Sequence, residues 1–389
     1  MTTAFWIGSL AATLMFGVAA KAEPGVAPDT ITFGQVAAFE GAAGSLGRDM
    51  RSGIAAAFEE ANRAGGVKGR KLALISEDDA YDPAKSIAAT KKLLAEGKVF
   101  GLLGAVGTPT SAATQPIAAE AGVPFIAPFT GAQFLRDPAK KNVVNLRASY
   151  FQETETMVER LTKDKGLTKI AILYQDDAFG RAGLKGVQRA LEKRGMKPAA
   201  AAAFERNTVA VKVALLTIEK SKPEAVILVG PYKPCAEFIK LARRLDVNPV
   251  FVNISFVGSN ALANELKANG SGVVVTQVVP FPDDANLPVV ARYNAALRAI
   301  DPAAKPGFVT LEGYLAGRLV IAALQKQEGE PRRQSFLNTI FSSTFDLGGF
   351  KLTFSPENNQ GSSDVFLTIL QRDGAFKPAG DLVSASSGT

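Results

Sequence analysis

Two short segments rich in threonine and glycine carry the polar groups with which this sequence could bind a small molecule. The first ends in Gly107-Thr108 and the second in Thr130-Gly131. Glycine lets the backbone approach a bound group closely, and a threonine hydroxyl both donates and accepts hydrogen bonds. Neither segment has a nucleophile beside a base, so the chemistry is binding rather than catalysis. The plainer alternative is a strand-helix-strand unit whose turns are merely rich in these residues.

The amino-acid composition excludes most common kinds of catalytic site. The 389 residues include no His and a single Cys, Cys235. Without His, the sequence lacks Ser-His and Cys-His nucleophile pairs, His-ligated zinc and the commonest general base. We therefore expect no enzyme, no cofactor and no metal site. Cys235 follows the apolar run 225–229 and is expected to be packed and inert.

The two polar segments lie at the ends of neighbouring predicted strands. Apolar runs at 99–103 and 123–126 flank a helical stretch at 111–121. In a parallel sheet both strands end at one edge, where open α/β sheets bind ligands. A helix beginning near residue 111 would direct free N–H groups at the same edge. This edge is expected to form half of a binding site.

The same alternation of strands and helices occurs twice. In the first half, strands are predicted at 30–36, 71–76, 99–103 and 123–126, with helices at 48–64, 84–96 and 111–121. After a break at 142–150, strands follow at 169–173, 199–204, 225–229, 249–253 and 273–278, with helices at 156–165, 182–194, 209–220 and 235–245. This order predicts an α/β fold with two similar lobes, each a parallel sheet flanked by helices on both faces.

The later part of the chain does not suit a third domain. Helices predicted at 289–299, 311–327 and 335–343 have no strand between them, and a strand-turn-strand tail follows at 350–354 and 365–371. Helices without a sheet need one to cover, so the chain is expected to return to the first lobe and then re-enter the second. The predicted first lobe is 23–148 plus 277–343, and the second is 149–276 plus 344–389, joined by a three-crossover hinge.

The first 22 residues are typical of an export signal. Residues 4–20 are almost wholly apolar or small, and Ala20-Lys21-Ala22 provides a small-x-small cleavage pattern. We predict cleavage after Ala22 and a periplasmic protein, with an uncleaved membrane anchor as the alternative. No later stretch is expected to span a membrane, and the absence of Cys at the cleavage point argues against a lipid anchor.

The formal net charge is +7, and the basic residues are dispersed along the chain. No basic stripe carries interleaved aromatic residues, so nucleic acid is not an expected partner.

Five segments at predicted strand ends carry a resemblance. They are LGAVGTPTS, APFTG, NLRASY, YQDDAFG and ISFVGS, followed by TQVVP. With the order of elements and the export signal, the sequence resembles the periplasmic solute-binding proteins of ABC transporters, of the leucine/isoleucine/valine-binding type. The resemblance covers essentially the whole chain after the signal. It implies two lobes, a small-molecule ligand in the cleft between them, delivery to a membrane permease and a monomeric protein.

The resemblance also implies a set of ligand contacts. In the first lobe these fall at Leu46, Ala105, Val106, Thr108, Thr130 and Gly131. In the second lobe they fall at Tyr150, Phe179, Tyr232, Ser255 and Phe256. In the amino-acid binders of the family, the first-lobe turns hold the ligand's α-carboxylate.

One position departs from the family pattern. Where the amino-acid binders place an acidic residue against the ligand's ammonium, this sequence has Ser255. Burying an ammonium without a carboxylate is costly. Asp176 or Asp177 is a possible substitute, although acidic residues after a strand are commonly helix N-caps. We therefore expect a carboxylate-bearing or otherwise polar-headed ligand with an apolar or aromatic end, and a free amino acid is the alternative.

A ligand-sensing protein that signals to a receptor is the second functional class. The sequence does not separate it from a transport protein, because both depend on ligand-induced closure.

Overall fold

The computed structural model describes residues 23–382, so the predicted signal and its cleavage site lie outside the described residues. The strands are β1 Thr30–Ala37, β2 Lys71–Asp78, β3 Gly101–Leu103, β4 Phe125–Ile126, β5 Val143–Val144, β6 Ile170–Gln175, β7 Ala201–Phe204, β8 Ala225–Val229, β9 Val250–Asn253, β10 Val274–Gln277, β11 Thr344–Asp346, β12 Lys351–Thr353, β13 Phe366–Leu370 and β14 Phe376–Ala379. The helices are α1 Gly44–Arg63, α2 Pro83–Ala95, α3 Thr108–Glu120, α4 Tyr150–Lys163, α5 Ala178–Glu192, α6 Lys212–Glu219, α7 Tyr232–Arg244, α8 Ser259–Leu266, α9 Pro288–Ile300, α10 Phe308–Lys326 and α11 Arg333–Phe341.

The first lobe is built on a five-stranded parallel sheet. Its strand order is β2-β1-β3-β4-β5. The helix α10 packs closely along α1, because Gly53 and Gly313 leave no room for a side chain where the two backbones meet. Contrary to expectation, α10 is long and apolar enough to span a membrane by length and composition, but 83% of it is buried within the protein. It serves as a core helix of this lobe.

The second lobe repeats the first and extends it. Strands β7-β6-β8-β9-β10 have the same order as the first sheet, and they pair in parallel. The strands β13 and β14 continue the sheet in antiparallel pairing. The predicted α/β fold with two similar lobes is confirmed, and the second sheet is mixed because a C-terminal hairpin covers its edge.

The C-terminal tail differs from the prediction of one hairpin. The segment 350–354 pairs with β11, and the segment 365–371 pairs with β10 and β14. The two-stranded sheet β11-β12 lies on the first lobe, where Val289 N donates to Gly348 O over 3.0 Å and Lys326 lies over the Phe345 ring. Asn145 N donates to Asn359 O over 2.8 Å, so first-lobe contacts extend to residue 359. Residues 344–359 therefore contact the first lobe, and the lobe boundary at residue 344 stays a prediction.

Five helices begin three to six residues earlier than the sequence pattern predicts. They are α1, α3, α4, α5 and α7. Their first turns carry Leu46, Thr108, Tyr150, Phe179 and Tyr232, which the sequence analysis placed in turns or among ligand contacts. All five helices follow the ends of strands or a crossover, so their first turns face the space between the lobes.

Candidate solute-binding site

The first lobe presents a pair of threonine hydroxyls at the predicted edge. Thr108 Oγ and Thr130 Oγ lie 2.7 Å apart and share a hydrogen bond. Thr130 Oγ also accepts from the backbone N–H of Ala132 over 3.2 Å. The two predicted turns therefore do meet, and their hydroxyls largely satisfy each other.

Tyr81 packs against this edge and was not predicted as a site residue. Gly107 has φ +106°, and a Cβ there would lie 2.3 Å from the Tyr81 ring. Ala80 and Tyr81 both adopt left-handed φ values of 47° and 58°. Asp79 supports this turn by accepting from Tyr81 N and from Ser86 Oγ, each over 2.8 Å. The turn holds the Tyr81 ring over the glycine.

The second lobe places two phenylalanines opposite the threonine pair. Asp177 caps α5 by accepting from Phe179 N over 2.8 Å and Gly180 N over 3.3 Å, which fixes Phe179 in the first turn. Phe256 lies in a short 3-10 helix that ends at Gly258, whose φ is +78°. A Cβ at Gly258 would lie 2.4 Å from Leu46 of the first lobe. The second-lobe turn thus closes directly onto the start of α1.

Five rings from both lobes form what we call the aromatic cluster. It consists of Tyr81, Phe129, Tyr150, Phe179 and Phe256, all buried. Phe256 is at the centre, with ring centroids 4.6 Å from Phe179, 5.3 Å from Phe129 and 6.1 Å from Tyr81. The Tyr150 ring lies 5.4 Å from Phe179. The cleft between the lobes is therefore lined by rings that contact one another.

Hydrogen bonds across the cleft show that the lobes are closed. Gln175 Nε2 donates to the Tyr81 hydroxyl over 3.3 Å, and Asn207 Nδ2 donates to Ala80 O over 3.3 Å. Ser45 N donates to the Tyr232 hydroxyl over 3.4 Å. Each of these bonds joins a first-lobe residue to a second-lobe residue.

Beneath the rings lies a group of four charged side chains, here called the hinge cluster. It consists of Arg136, Arg147, Glu153 and Glu312, all buried. Arg147 lies on the first crossover, 3.2 Å from Glu153 in the second lobe and 3.6 Å from Glu312 in the first. Its guanidinium carbon is 5.0 Å from the centroid of the Phe129 ring and 6.0 Å from that of Tyr150. The hinge cluster therefore joins both lobes and touches the aromatic cluster.

Glu153 is saturated with hydrogen bonds, whereas Glu312 is not. The Glu153 carboxylate accepts from Arg147, from Ser255 N and Oγ over 2.9 and 3.0 Å, and from Thr276 Oγ over 2.6 Å. Among residues 23–382, Glu312 has only the Arg147 ion pair at 3.6 Å. Burial raises the pKa of Glu312 to about 7, against the opposing effect of Arg147. Glu312 therefore titrates near neutral pH.

Among the buried donors without a close hydrogen bond in the described residues, three belong to the hinge and aromatic clusters. They are Arg147 Nε, Arg147 Nη1, which faces Glu312 at 3.6 Å, and the Tyr150 hydroxyl, which lies beside the Thr130 hydroxyl. Buried polar groups in proteins are nearly always paired, because an unpaired one costs about 1–3 kcal/mol. These atoms are therefore the positions at which a bound polar group would gain most.

The predicted site residues fall into two groups. The structure brings together Leu46, Thr108, Thr130, Gly131, Tyr150, Phe179, Ser255 and Phe256 around the cleft. Ala105 packs in a separate apolar cluster on the other side of the sheet, and Val106 O is occupied by Thr110 Oγ. The Tyr232 ring makes no ring contact with the aromatic cluster among described residues, and its hydroxyl bonds Ser45. The side chains of Ala105 and Tyr232 therefore lie outside the aromatic cluster, and their ligand contacts stay predictions.

Neither acidic substitute considered for the ammonium partner is available. Asp177 is the N-cap of α5 and also pairs with Gln175 over 2.6 Å, as the helix-cap interpretation requires. Asp176 is exposed and bonds Arg181 over 2.7 Å. Ser255 instead donates a hydrogen bond to Glu153, whose negative charge already forms an ion pair with Arg147. Within residues 23–382 no group of three His, Cys, Asp or Glu side chains is arranged to hold a metal ion.

Cys235 is fully buried and unpaired, and burial raises the pKa of its thiol, which confirms the prediction of an inert cysteine.

Sequence reasoning missed Tyr81, Phe129, Arg147, Glu153 and Glu312. Arg147 and Glu153 flank the N-cap Ser149 of α4, and this close spacing was a usable signal. Glu312 lies inside an otherwise apolar helix, where a lone buried carboxyl requires a partner. Its partner is distant in sequence, so the pairing itself was not predictable.

The sequence profile of the periplasmic binding proteins matches residues 30–375. The chain belongs to this family. Members of the family are periplasmic solute-binding proteins and not enzymes, so the resemblance stated from the sequence is confirmed.

Individual relatives cover nearly the whole chain. The chain is 36% identical to a possible leucine/isoleucine/valine-binding protein from Rhodopirellula baltica SH 1, with a TM-score of 0.86 over 93% of this chain and 98% of that one. It is 23% identical over 327 residues to the Leu/Ile/Val-binding protein homolog 7 of Brucella abortus, covering 80% of this chain and 81% of the relative. A fatty acid ABC transporter substrate-binding protein from Thermomonospora curvata shares the fold at 20% identity, with a TM-score of 0.84 over 94% and 96% of the two chains.

Proposed function

We propose that this protein captures a small organic acid outside the cytoplasm by closing its two lobes, and delivers the acid to the permease of an ABC importer. In this proposal the acid has a carboxylate head and an apolar or aromatic end, and it needs no amine. The protein acts after its first 22 residues have been removed. Thr108, Thr130, Tyr150, Phe179 and Phe256 are the central contacts.

The observation that carries the proposal is the chemistry of the cleft. Its walls are the five rings of the aromatic cluster, which suit an apolar or flat group. Donors on Arg147 and Tyr150 that lack a close hydrogen bond suit an anion, and one acceptor, Gln175 Oε1, also lacks a partner at the cleft. The names of the curated relatives point instead to an amine-bearing ligand, since they are described as Leu/Ile/Val-binding proteins, and the fatty acid transport protein shares only the fold at 20% identity. The proposal therefore depends on the chemistry of the cleft.

A free amino acid is the second candidate, and Glu312 favours it. This carboxyl is the least paired acidic group of the hinge cluster, and an ionised Glu312 would attract an ammonium. The two candidates differ in one functional group, so matched ligands separate them.

The test starts from what the protein carries. Purified protein is denatured, and released small molecules are identified by mass spectrometry. Thermal unfolding is then followed with 3-phenylpropanoate against L-phenylalanine, and with 4-methylpentanoate against L-leucine. A ligand at about 100 times its dissociation constant adds about 2.7 kcal/mol to the free energy of unfolding.

We expect the amine-free acids to raise the unfolding temperature more than the amino acids do. Stabilisation by L-leucine or L-phenylalanine alone contradicts the proposed ligand class. The intact mass of protein recovered from the periplasm tests removal of the signal, and a chain beginning at Glu23 is expected.

A further inference from the structure

We propose that the anion of the captured solute is received by the Arg147 guanidinium and the Tyr150 hydroxyl, and not by the threonine pair that the family resemblance implies. This inference rests on the proposed function and assigns the anion to named donors. Arg147 lies outside the set of contacts that the sequence indicates.

Hydrogen-bonding capacity separates the two candidate positions. The Thr108 and Thr130 hydroxyls bond each other over 2.7 Å, and Thr130 Oγ also accepts from Ala132 N. By contrast, Arg147 Nε is buried with no hydrogen-bond partner among the described residues, Arg147 Nη1 has only the Glu312 carboxylate at 3.6 Å, and the Tyr150 hydroxyl makes no close hydrogen bond, although it lies beside Thr130. An anion at Arg147 and Tyr150 satisfies these donors, whereas an anion at the threonines breaks a bond that is already formed.

The position also fits the remainder of the solute. The guanidinium carbon of Arg147 lies 5.0 Å from the Phe129 ring centroid and 6.0 Å from that of Tyr150. Tyr150 is in ring contact with Phe179, and Phe179 with Phe256. A carboxylate at Arg147 therefore points its apolar end into the aromatic cluster. A solute of this kind displaces the Phe256 ring from the centre of that cluster.

The charge of the hinge cluster favours an anion. Arg136 and Arg147 face Glu153 and Glu312, so the cluster is neutral when both acids are ionised. Arg136 donates to the carbonyl groups of Thr130, Ala132, Arg147 and Ala148, which keeps its charge in place. With a proton on Glu312 the cluster carries one surplus positive charge, and a bound carboxylate neutralises it.

Binding of the anion is therefore coupled to protonation of Glu312. The charged groups facing Glu312 are Arg147 from the crossover, Glu153 from α4 and Arg136 from the short 3-10 helix Gln133–Arg136. Because the pKa of Glu312 is about 7, an acid ligand binds more tightly below neutral pH than above it. An isolated threonine anchor would not produce this pH dependence.

The decisive variant is Tyr150→Phe, because it removes only a hydroxyl whose single side-chain neighbour for hydrogen bonding is Thr130. We expect it to change the unfolding temperature little and to weaken 3-phenylpropanoate binding about tenfold in isothermal titration calorimetry. Arg147→Lys keeps the charge but loses the planar fork, and a loss of at least about tenfold is expected. Tyr293→Phe is the matched control, since the Tyr293 hydroxyl bonds Gly307 and Thr310 at the start of α10 and makes no described contact with the four hinge-cluster side chains. It should lower the unfolding temperature and leave the affinity unchanged.

Two further measurements distinguish the alternatives. For wild type, affinity for 3-phenylpropanoate should fall as pH rises from about 7 to about 9, by at most about tenfold per pH unit, and Glu312→Gln should abolish this slope. The amide 3-phenylpropanamide should bind far more weakly than the acid. If Thr108→Val loses affinity while Tyr150→Phe and Arg147→Lys do not, the threonine pair is the anchor and the inference is wrong. If wild type binds no acid at all, it is the proposed ligand class that fails.

Discussion

The Tyr81 ring shows how single residues shape the cleft. It lies over Gly107, beside Phe256, and its hydroxyl accepts from Gln175 of the opposite lobe. Two successive left-handed residues, Ala80 and Tyr81, are needed to place it there. Non-glycine residues adopt this backbone region at a cost of about 1–2 kcal/mol each, and such strain is concentrated at functional positions.

Gly107→Ala is expected to destabilise the protein strongly. A Cβ at this position would lie 2.3 Å from the Tyr81 ring, in addition to the strain of φ +106°. We expect a loss of about 3 kcal/mol or more in the free energy of unfolding, measured by urea denaturation. Gly122→Ala is the matched control, because its φ is +63° and nothing lies within 4 Å of the new Cβ. A loss of about 1 kcal/mol is expected there, and equal losses for the two variants would contradict the contact with Tyr81.

At the scale of elements, the site depends on where helices begin. Each of the five helices that start early presents its first turn to the cleft, and side-chain caps fix two of these turns, with Ser149 capping α4 and Asp177 capping α5. An N-cap hydrogen bond contributes about 1 kcal/mol to stability. The cap of α5 has a second effect, since it positions Phe179 against Phe256.

Removing the cap of α5 should affect binding as well as stability. Asp177→Ala removes hydrogen bonds to Phe179 N and Gly180 N, and a loss of about 1–2 kcal/mol is expected. Asp82→Ala removes the equivalent bonds to Ala84 N and Lys85 N at the start of α2. Both variants should unfold at lower urea concentration, but only Asp177→Ala should weaken binding of 3-phenylpropanoate. A parallel loss of affinity in Asp82→Ala would show that the effect is general destabilisation.

Most strands and their succession along the chain were predictable, but β5, β11, β14 and the helix starts were not. Strands such as β8 are continuous apolar runs bounded by polar turns, and that pattern is local. The first turns of α4 and α5 contain Tyr150 and Phe179, which are placed by the cleft and not by the amphipathic repeat of the helix. Residues in these first turns suit the binding site and therefore do not continue the amphipathic pattern of the helix. The hydrophobic periodicity consequently predicts helix starts that are several residues too late.

The sequence predicted the threonines and phenylalanines of the candidate site, but it did not predict the charged residues of the hinge cluster. Thr108, Thr130, Phe179 and Phe256 do meet, because parallel strands and the helices after them end on one side of each sheet. Contacts of Arg147 with Glu312 join segments distant in sequence, and no local pattern encodes such pairing. The expectation of Ser255 without a carboxylate was also incomplete, since Ser255 Oγ donates to the Glu153 carboxylate of α4 over 3.0 Å.

At the scale of the whole molecule, the hinge cluster connects stability to pH. The pKa of Glu312 is raised from 4.5 to about 7 by burial. Between these values the native state holds a proton that the unfolded state releases, so the free energy of unfolding falls as pH rises through this window. The full effect is about 3 kcal/mol at most.

Glu312→Gln should remove this contribution. We expect the variant to gain stability relative to wild type as pH is raised from about 5 to about 8, as measured by urea unfolding at each pH. Asp49 and Asp79 also have pKa values raised to about 6 by burial, and they contribute equally to both proteins. Glu219→Gln, on the exposed face of α6, is the control for loss of one negative charge. An unchanged difference between variant and wild type across this range would contradict the raised pKa.

The interface between the two lobes determines how their opening depends on temperature. Apart from the hinge cluster, the described contacts across it are mainly aromatic rings and bonds between neutral groups, such as those of Tyr81 with Gln175 and of Ser45 with Tyr232, with one bond of 3.5 Å from the Lys233 ammonium to Gly41 O. Separating the lobes wets five rings at once, so opening has a positive heat-capacity change. Apolar association weakens on cooling, and the closed state therefore loses population in the cold. Temperature, as well as solute, sets how often this protein opens to exchange its cargo.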